Sequence, residues 1–186
     1  MVSLHGKNNR KMIKTIYLDM DGVLADFEKD YLEYNGITIG EARDQRPRKE
    51  FYKYWNNFIS AERFASLPKY EGCDELLSFV RELDVNLEIL SSSGGPGRHG
   101  DVVRQKHAWL EKHNISYKRN IVPGARYKKD YASEETLLID DTERNITSFL
   151  RAGGHAILHV SAGDTISRLE RIMSEGKISK LLETSN

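Results

Sequence analysis

The stretch IYLDMDGVLADF, residues 16–27, constrains this chain more than any other part of it. An apolar run that stops at Asp-x-Asp-Gly reads as a buried strand breaking into a tight turn. Asp19 and Asp21 at that break, with Asp26 just beyond, are either well solvated or hold a cation. The second alternative implies chemistry.

The rest of the chain repeats the strand signal. Short apolar runs recur at 15–20, 86–90, 120–122, 136–140 and 155–160, and several are continuous, as in strands covered on both faces of a parallel sheet. Between them lie amphipathic segments of helical period. Leu76, Leu77, Phe79, Val80 and Leu83 fall on one stripe, as do Val102, Val103, Trp109 and Leu110, and Ile146, Phe149 and Leu150. Strands alternating with helices give an α/β fold with a doubly wound, mainly parallel, Rossmann-like sheet.

Residues 28–70 break the alternation. They hold no clear strand, and Phe51, Tyr52, Trp55, Phe58, Ile59 and Phe64 recur at helical intervals, so a small helical cap is expected after the first strand. The α/β core then comprises 1–27 and 71–186. The tail from Ile166 to Leu182 reads as one or two helices broken near Gly176. A chain of 186 residues suits one domain with such an insertion and can bury a full core.

Charge and cysteine content narrow the function. Lys plus Arg equals Asp plus Glu at 28 each, which argues against a protein that coats long nucleic acid. The single Cys73 excludes an intramolecular disulfide and a cysteine metal cluster, and no nucleophile signature surrounds it. The basic start MVSLHGKNNRKMIK lacks an apolar run of signal-peptide length, and no segment is long and apolar enough to span a bilayer. A cytoplasmic location is expected, and a homodimer is left open.

In an open α/β sheet, ligands bind beyond the carboxyl ends of the strands. The residues there are Asp19 and Asp21, then Ser91 to Gly97, then Asp140 and Asp141. Four converging carboxylates would repel one another without a cation, and an all-oxygen set suits Mg²⁺. The loop SSSGGPGRHG offers hydroxyls, close backbone approach and a helix start that favours an anion, although a glycine-rich turn alone is also ordinary. Together these point to phosphoryl transfer. A cation must then face the phosphate; Lys128 is preferred to Lys129, which a short helix with Tyr131 and Ala132 would turn to solvent.

The set DMDGVLADF, a Ser closing a second strand, a Lys, and LLIDDTERN, in that order over about residues 14–160, resembles the haloacid dehalogenase (HAD) superfamily of phosphohydrolases. Within it the form is most similar to the 5′(3′)-deoxyribonucleotidase branch. The resemblance implies that Asp19 is the nucleophile that becomes an aspartyl phosphate, and Asp21 the general acid and then base. It further implies Ser91 on a phosphoryl oxygen, or Ser92 if the strand runs one residue longer, and Lys128 balancing charge. The implied magnesium ligands are the Asp19 side chain, the Asp21 carbonyl, and Asp140 or Asp141.

Insertions of this kind close over the leaving group in the superfamily. Phe51, Tyr52 and Trp55 are then candidates for stacking on a nucleobase, or else form the insertion's own core. The cluster EARDQRPRKE, with Arg43, Arg46, Arg48 and Lys49, is read as a solvated face, His99 as a solvated loop residue whose alternative is contact with substrate, and His107 and His113 as surface or helix-end residues. The expected activity is hydrolysis of a small phosphate ester, a nucleoside monophosphate, with no membrane and no long nucleic acid as partner. The rivals are a 3′-phosphatase of nucleic-acid ends, another HAD phosphatase of a small ester, and a non-catalytic relative that keeps the fold.

Overall fold

Five strands form where the apolar runs lie: Thr15–Leu18 (β1), Asn86–Ser92 (β2), Lys118–Val122 (β3), Thr136–Asp140 (β4) and His155–Leu158 (β5). The computed structural model describes residues 12–44 and 49–184. The strands pair in the order β3-β2-β1-β4-β5, every pair parallel. The chain runs outward from β1 through β2 to β3, then returns to the other side of β1 for β4 and β5. This reversal places the switch crevice at the carboxyl end of β1.

The pleat sorts each strand between two cores. Ile16, Leu18, Ile89, Leu137, Ile139 and Ile157 join the larger one, with Leu76, Leu77 and Val80 of Cys73–Arg81 (α5), Val102, Trp109 and Leu110 of His99–Lys112 (α6), and Leu169 of Ala162–Thr184 (α8). Tyr17, Leu90, Val122 and Leu138 face the other way, onto Phe149 of Glu143–Arg151 (α7). A 3₁₀ helix, Ala125–Tyr131, packs beside α7 on that face. Helix α8 continues past Gly176 without a break, since one glycine weakens a helix without ending it.

Between β1 and α5 stand Phe27–Asn35 (α1), Ile39–Asp44 (α2), Lys49–Ser60 (α3) and Arg63–Ser66 (α4). They share the larger core with the sheet through Tyr31, Phe58, Ile59 and Phe64, around Phe27. Helix α6 fastens them. Buried Gln105 accepts from the Phe64 N–H, left open where α3 gives way to α4, and donates to the Ile59 carbonyl beside the Glu62 N–H. Trp109 Nε1 donates to the Leu67 carbonyl, and Arg104 forks onto Glu62. Lys49 opens α3 and is exposed; Arg46 and Arg48 lie outside the described residues.

Candidate active site

Asp19 follows directly on β1, and its N–H donates to the Ile139 carbonyl of β4, binding the two strand ends together. Its Oδ1 accepts from the Met20 N–H at 2.7 Å, and its Oδ2 lies 2.7 Å from Lys128 Nζ. Burial alone would raise this carboxyl, but Lys128 and Lys106 outweigh it and hold Asp19 below the ordinary carboxylate range. Asp21, two residues on, goes the opposite way. Burial raises it, Lys106 only partly offsets that, and the Asp19 charge adds to the rise.

The loop that carries both is closed by the Met20 carbonyl, which accepts from the N–H groups of Val23, Leu24 and Ala25. Gly22 sits at φ 74°, and a Cβ there would come within 2.1 Å of Asp141 Oδ2. Only glycine therefore lets the two aspartate segments meet. Opposite, Asp140 at the end of β4 is fully buried and saturated. Its Oδ1 accepts from the Thr142 N–H and from Asn145 Nδ2, and its Oδ2 from Lys128 Nζ at 2.6 Å and from Asn145 again.

Oxygens of Asp19, Asp140 and Asp141 lie within 4.8 Å of one another, a donor set able to hold a hard cation. The expected fourth carboxylate, Asp21, is not in that group; Lys106 holds its Oδ2 at 2.7 Å. Asp140 already receives four hydrogen bonds, which fills its lone pairs. Asp141 has one, from Thr142 Oγ1 at 3.1 Å, so it keeps room for a ligand bond. Crowding by the surrounding protein, then the charges of Asp19 and Asp140, push Asp141 up to about 7 although its side chain keeps an exposed face.

Above these groups opens a cleft of about 830 Å³. Asp19, Asp21, Lys128 and Asp141 form its floor, and Ser92, Phe51 and Trp55 line its sides. Strand β2 runs to Ser92, and the pleat turns its last two hydroxyls to opposite faces. Ser91 is sealed below the floor, accepting from Lys106 Nζ at 2.8 Å, while Ser92 faces the cleft. Trp55 packs against the sheet's loop, its ring 2.5 Å from where a Gly94 Cβ would stand, and stacks on Phe51. Tyr52 turns outward and is 58% exposed. Lys129 is exposed, and His99 is tied by Nδ1 to Ser93 Oγ at 2.8 Å.

Two site residues carried no expectation from sequence. Lys106 is fully buried on α6, and Asn145 on α7 cradles Asp140. Lys106 had left a signal, since it falls on the stripe of Val102, Trp109 and Leu110, where a charge needs a buried partner. Cys73 is buried at the start of α5, and burial pushes its thiol up to about 11, which leaves it inert.

Fold and crevice together are those of a HAD-type hydrolase. A hydrolase from Streptococcus pneumoniae TIGR4 shares the fold at TM-score 0.54 and 16% identity, covering 86% of this chain and 100% of that one. A predicted phosphatase from Clostridium acetobutylicum does so at 0.54 and 14%, covering 78% and 84%. The HAD-hydrolase YfnB from Bacillus subtilis, in a form bound to magnesium, does so at 0.53 and 14%, covering 88% and 99%. No curated protein sequence matches the chain. Residues 11–182 match the model of the family described as 5′ nucleotidase, deoxy (Pyrimidine), cytosolic type C protein; the chain belongs to this family, and so to the phosphoric monoester hydrolases of the HAD superfamily.

Proposed function

We propose that the protein hydrolyses nucleoside monophosphates, deoxyribonucleotides by preference, with magnesium and through an aspartyl phosphate on Asp19. The observation that carries this reading is the divergence of two carboxyls on one loop. Asp19 is held ionised beside Lys128, as a nucleophile must be, and Asp21 is raised, as a proton donor must be.

The remaining parts fit their roles. Asp19 attacks phosphorus as Asp21 passes its proton to the departing sugar oxygen; Asp21 then takes a proton from the water that cleaves the acyl phosphate. Lys128 offsets charge on the phosphoryl oxygens, and Ser92, the cleft-facing hydroxyl, donates to one of them. The oxygen donors of Asp19 and Asp141 fit magnesium, the Asp21 carbonyl being the further ligand that the family pattern implies, and Asp140 positions Lys128 instead of ligating. Bound there, magnesium would neutralise developing negative charge on the phosphate. Phe51 and Trp55 offer the leaving nucleoside an aromatic wall. Among the described residues no helix is long and apolar enough to cross a membrane, and the cytosol is the location this reading assigns.

The test is phosphate release from 5′- and 3′-mononucleotides, sugar phosphates and 3′-phosphorylated oligonucleotides, with magnesium or with chelator. Turnover confined to mononucleotides, lost in chelator and reduced at least about 10⁴-fold by Asp19→Asn, is expected. Preference for oligonucleotides or sugar phosphates would replace the substrate class.

A further inference from the structure

The loop after β2, SSSGGPGRHG, brings Ser92 and Gly94 into the cleft, yet much of it packs on nothing. A Cβ at Gly95 or Gly97 would meet nothing beyond its chain neighbours within 4 Å, and such glycines make a loop costly to order. Two side chains that do not line the cleft hold it. Ser93 is 1% exposed, and its N–H donates to the Val122 carbonyl of β3. Its Oγ lies 3.1 Å from the Gly95 carbonyl oxygen and 2.8 Å from His99 Nδ1. A hydroxyl has one hydrogen, so Ser93 gives it to Gly95 and accepts from a proton on His99 Nδ1. His99 is the first residue of α6, and the pair therefore clasps the loop to that helix.

Gly94 stands inside the clasped segment and faces two ways. Its N–H donates to Ser92 Oγ at 3.0 Å, which leaves the one hydrogen of that hydroxyl for the cleft. On its other side lies Trp55, 2.5 Å from where a Cβ would stand. Arg98 adds a bond to the helix that carries Trp55, its Nη1 donating at 3.3 Å to Ser60 Oγ at the end of α3. We propose that Ser93 and His99 are positioning residues which, through Gly94, set the Ser92 hydroxyl against the phosphoryl group and Trp55 against the nucleobase together. Neither touches substrate. The inference rests on the nucleotide reading of the cleft.

Two readouts separate positioning from mere support of the fold. Inhibition of hydrolysis by inorganic phosphate reports the Ser92 end of the loop. The ratio of kcat/KM for a deoxynucleoside monophosphate to that for deoxyribose 5-phosphate reports the aromatic end. Native protein, His99→Ala, His99→Asn and Trp55→Ala are compared with magnesium present. His99→Ala is expected to weaken phosphate inhibition about 5-fold and to lower the ratio about 10-fold, each the scale of one lost hydrogen bond. Trp55→Ala should lower the ratio alone. His99→Asn, whose amide N–H can stand where the Nδ1 hydrogen stood, should restore both readouts. Loss of one readout only in His99→Ala, loss of neither whatever the thermal midpoint does, or no recovery in His99→Asn would overturn the clasp. If the ratio in native protein does not exceed one, the nucleotide reading fails and this inference with it. If His99→Ala does not fold, Ser93→Ala carries the same two readouts.

Discussion

Asn145 shows how closely the site depends on single side chains. Its amide is the donor shared by both oxygens of Asp140, which in turn holds Lys128 under Asp19. Asn145→Leu leaves a buried carboxylate short of partners and is expected to cost about 1–3 kcal/mol, read as a lowered denaturant midpoint. Asp141 gives a pH signature. In metal-free protein its folded value lies above the unfolded one, so its contribution is fully present below the ordinary 3.8 and is lost as pH rises to about 7. Asp141→Asn does not titrate. Its stability relative to the native protein should therefore climb between those limits in chelator and stay level above them; a difference that falls with rising pH would contradict the raised carboxyl.

At the scale of elements, α6 joins the sheet to the inserted helices. Gln105→Leu would strip the Phe64 N–H of its partner in a dry interface, at about 1–3 kcal/mol, and leave the Ile59 carbonyl with the Glu62 N–H alone. Amide exchange in α3 and α4 should quicken before that in β1 and β4; uniform exchange across the molecule would show that the fastening is not local. Gly94→Ala meets Trp55 at 2.5 Å and also a φ of 78°, so it should displace the aromatic wall and raise KM for mononucleotides more than it lowers kcat.

These elements also show what could be read in the sequence. The five strands were legible because each holds a short apolar run, several of them continuous, and α5, α6 and α7 because apolar residues recur at helical spacing. Asp19, Asp21, Asp140 and Asp141 were legible because strand ends in such a sheet converge. Lys106 and Asn145 were not, since a residue's role from a neighbouring helix depends on crossing geometry that spacing alone does not give. Which of Ser91 and Ser92 faces the cleft was not legible before the end of β2 was known, because one residue of strand reverses the face.

For the whole molecule, the crevice concentrates carboxylates that the fold holds together at a cost. A cation held between Asp19 and Asp141 should raise the thermal midpoint, by about 2.7 kcal/mol of stability at a hundredfold excess over Kd. Asp141→Asn should lose most of that gain, and an unchanged midpoint in native protein would place the cation elsewhere.

The measurement that meets the central claim most directly is acid-quench trapping. Protein mixed with magnesium and a deoxynucleoside monophosphate carrying a labelled phosphoryl group is stopped within one turnover, digested, and the labelled peptide mapped. The account predicts label on the peptide that contains Asp19, sensitive to hydroxylamine as an acyl phosphate is, and absent from Asp19→Asn. Turnover without any protein-bound label, or label on a residue other than Asp19, would contradict it.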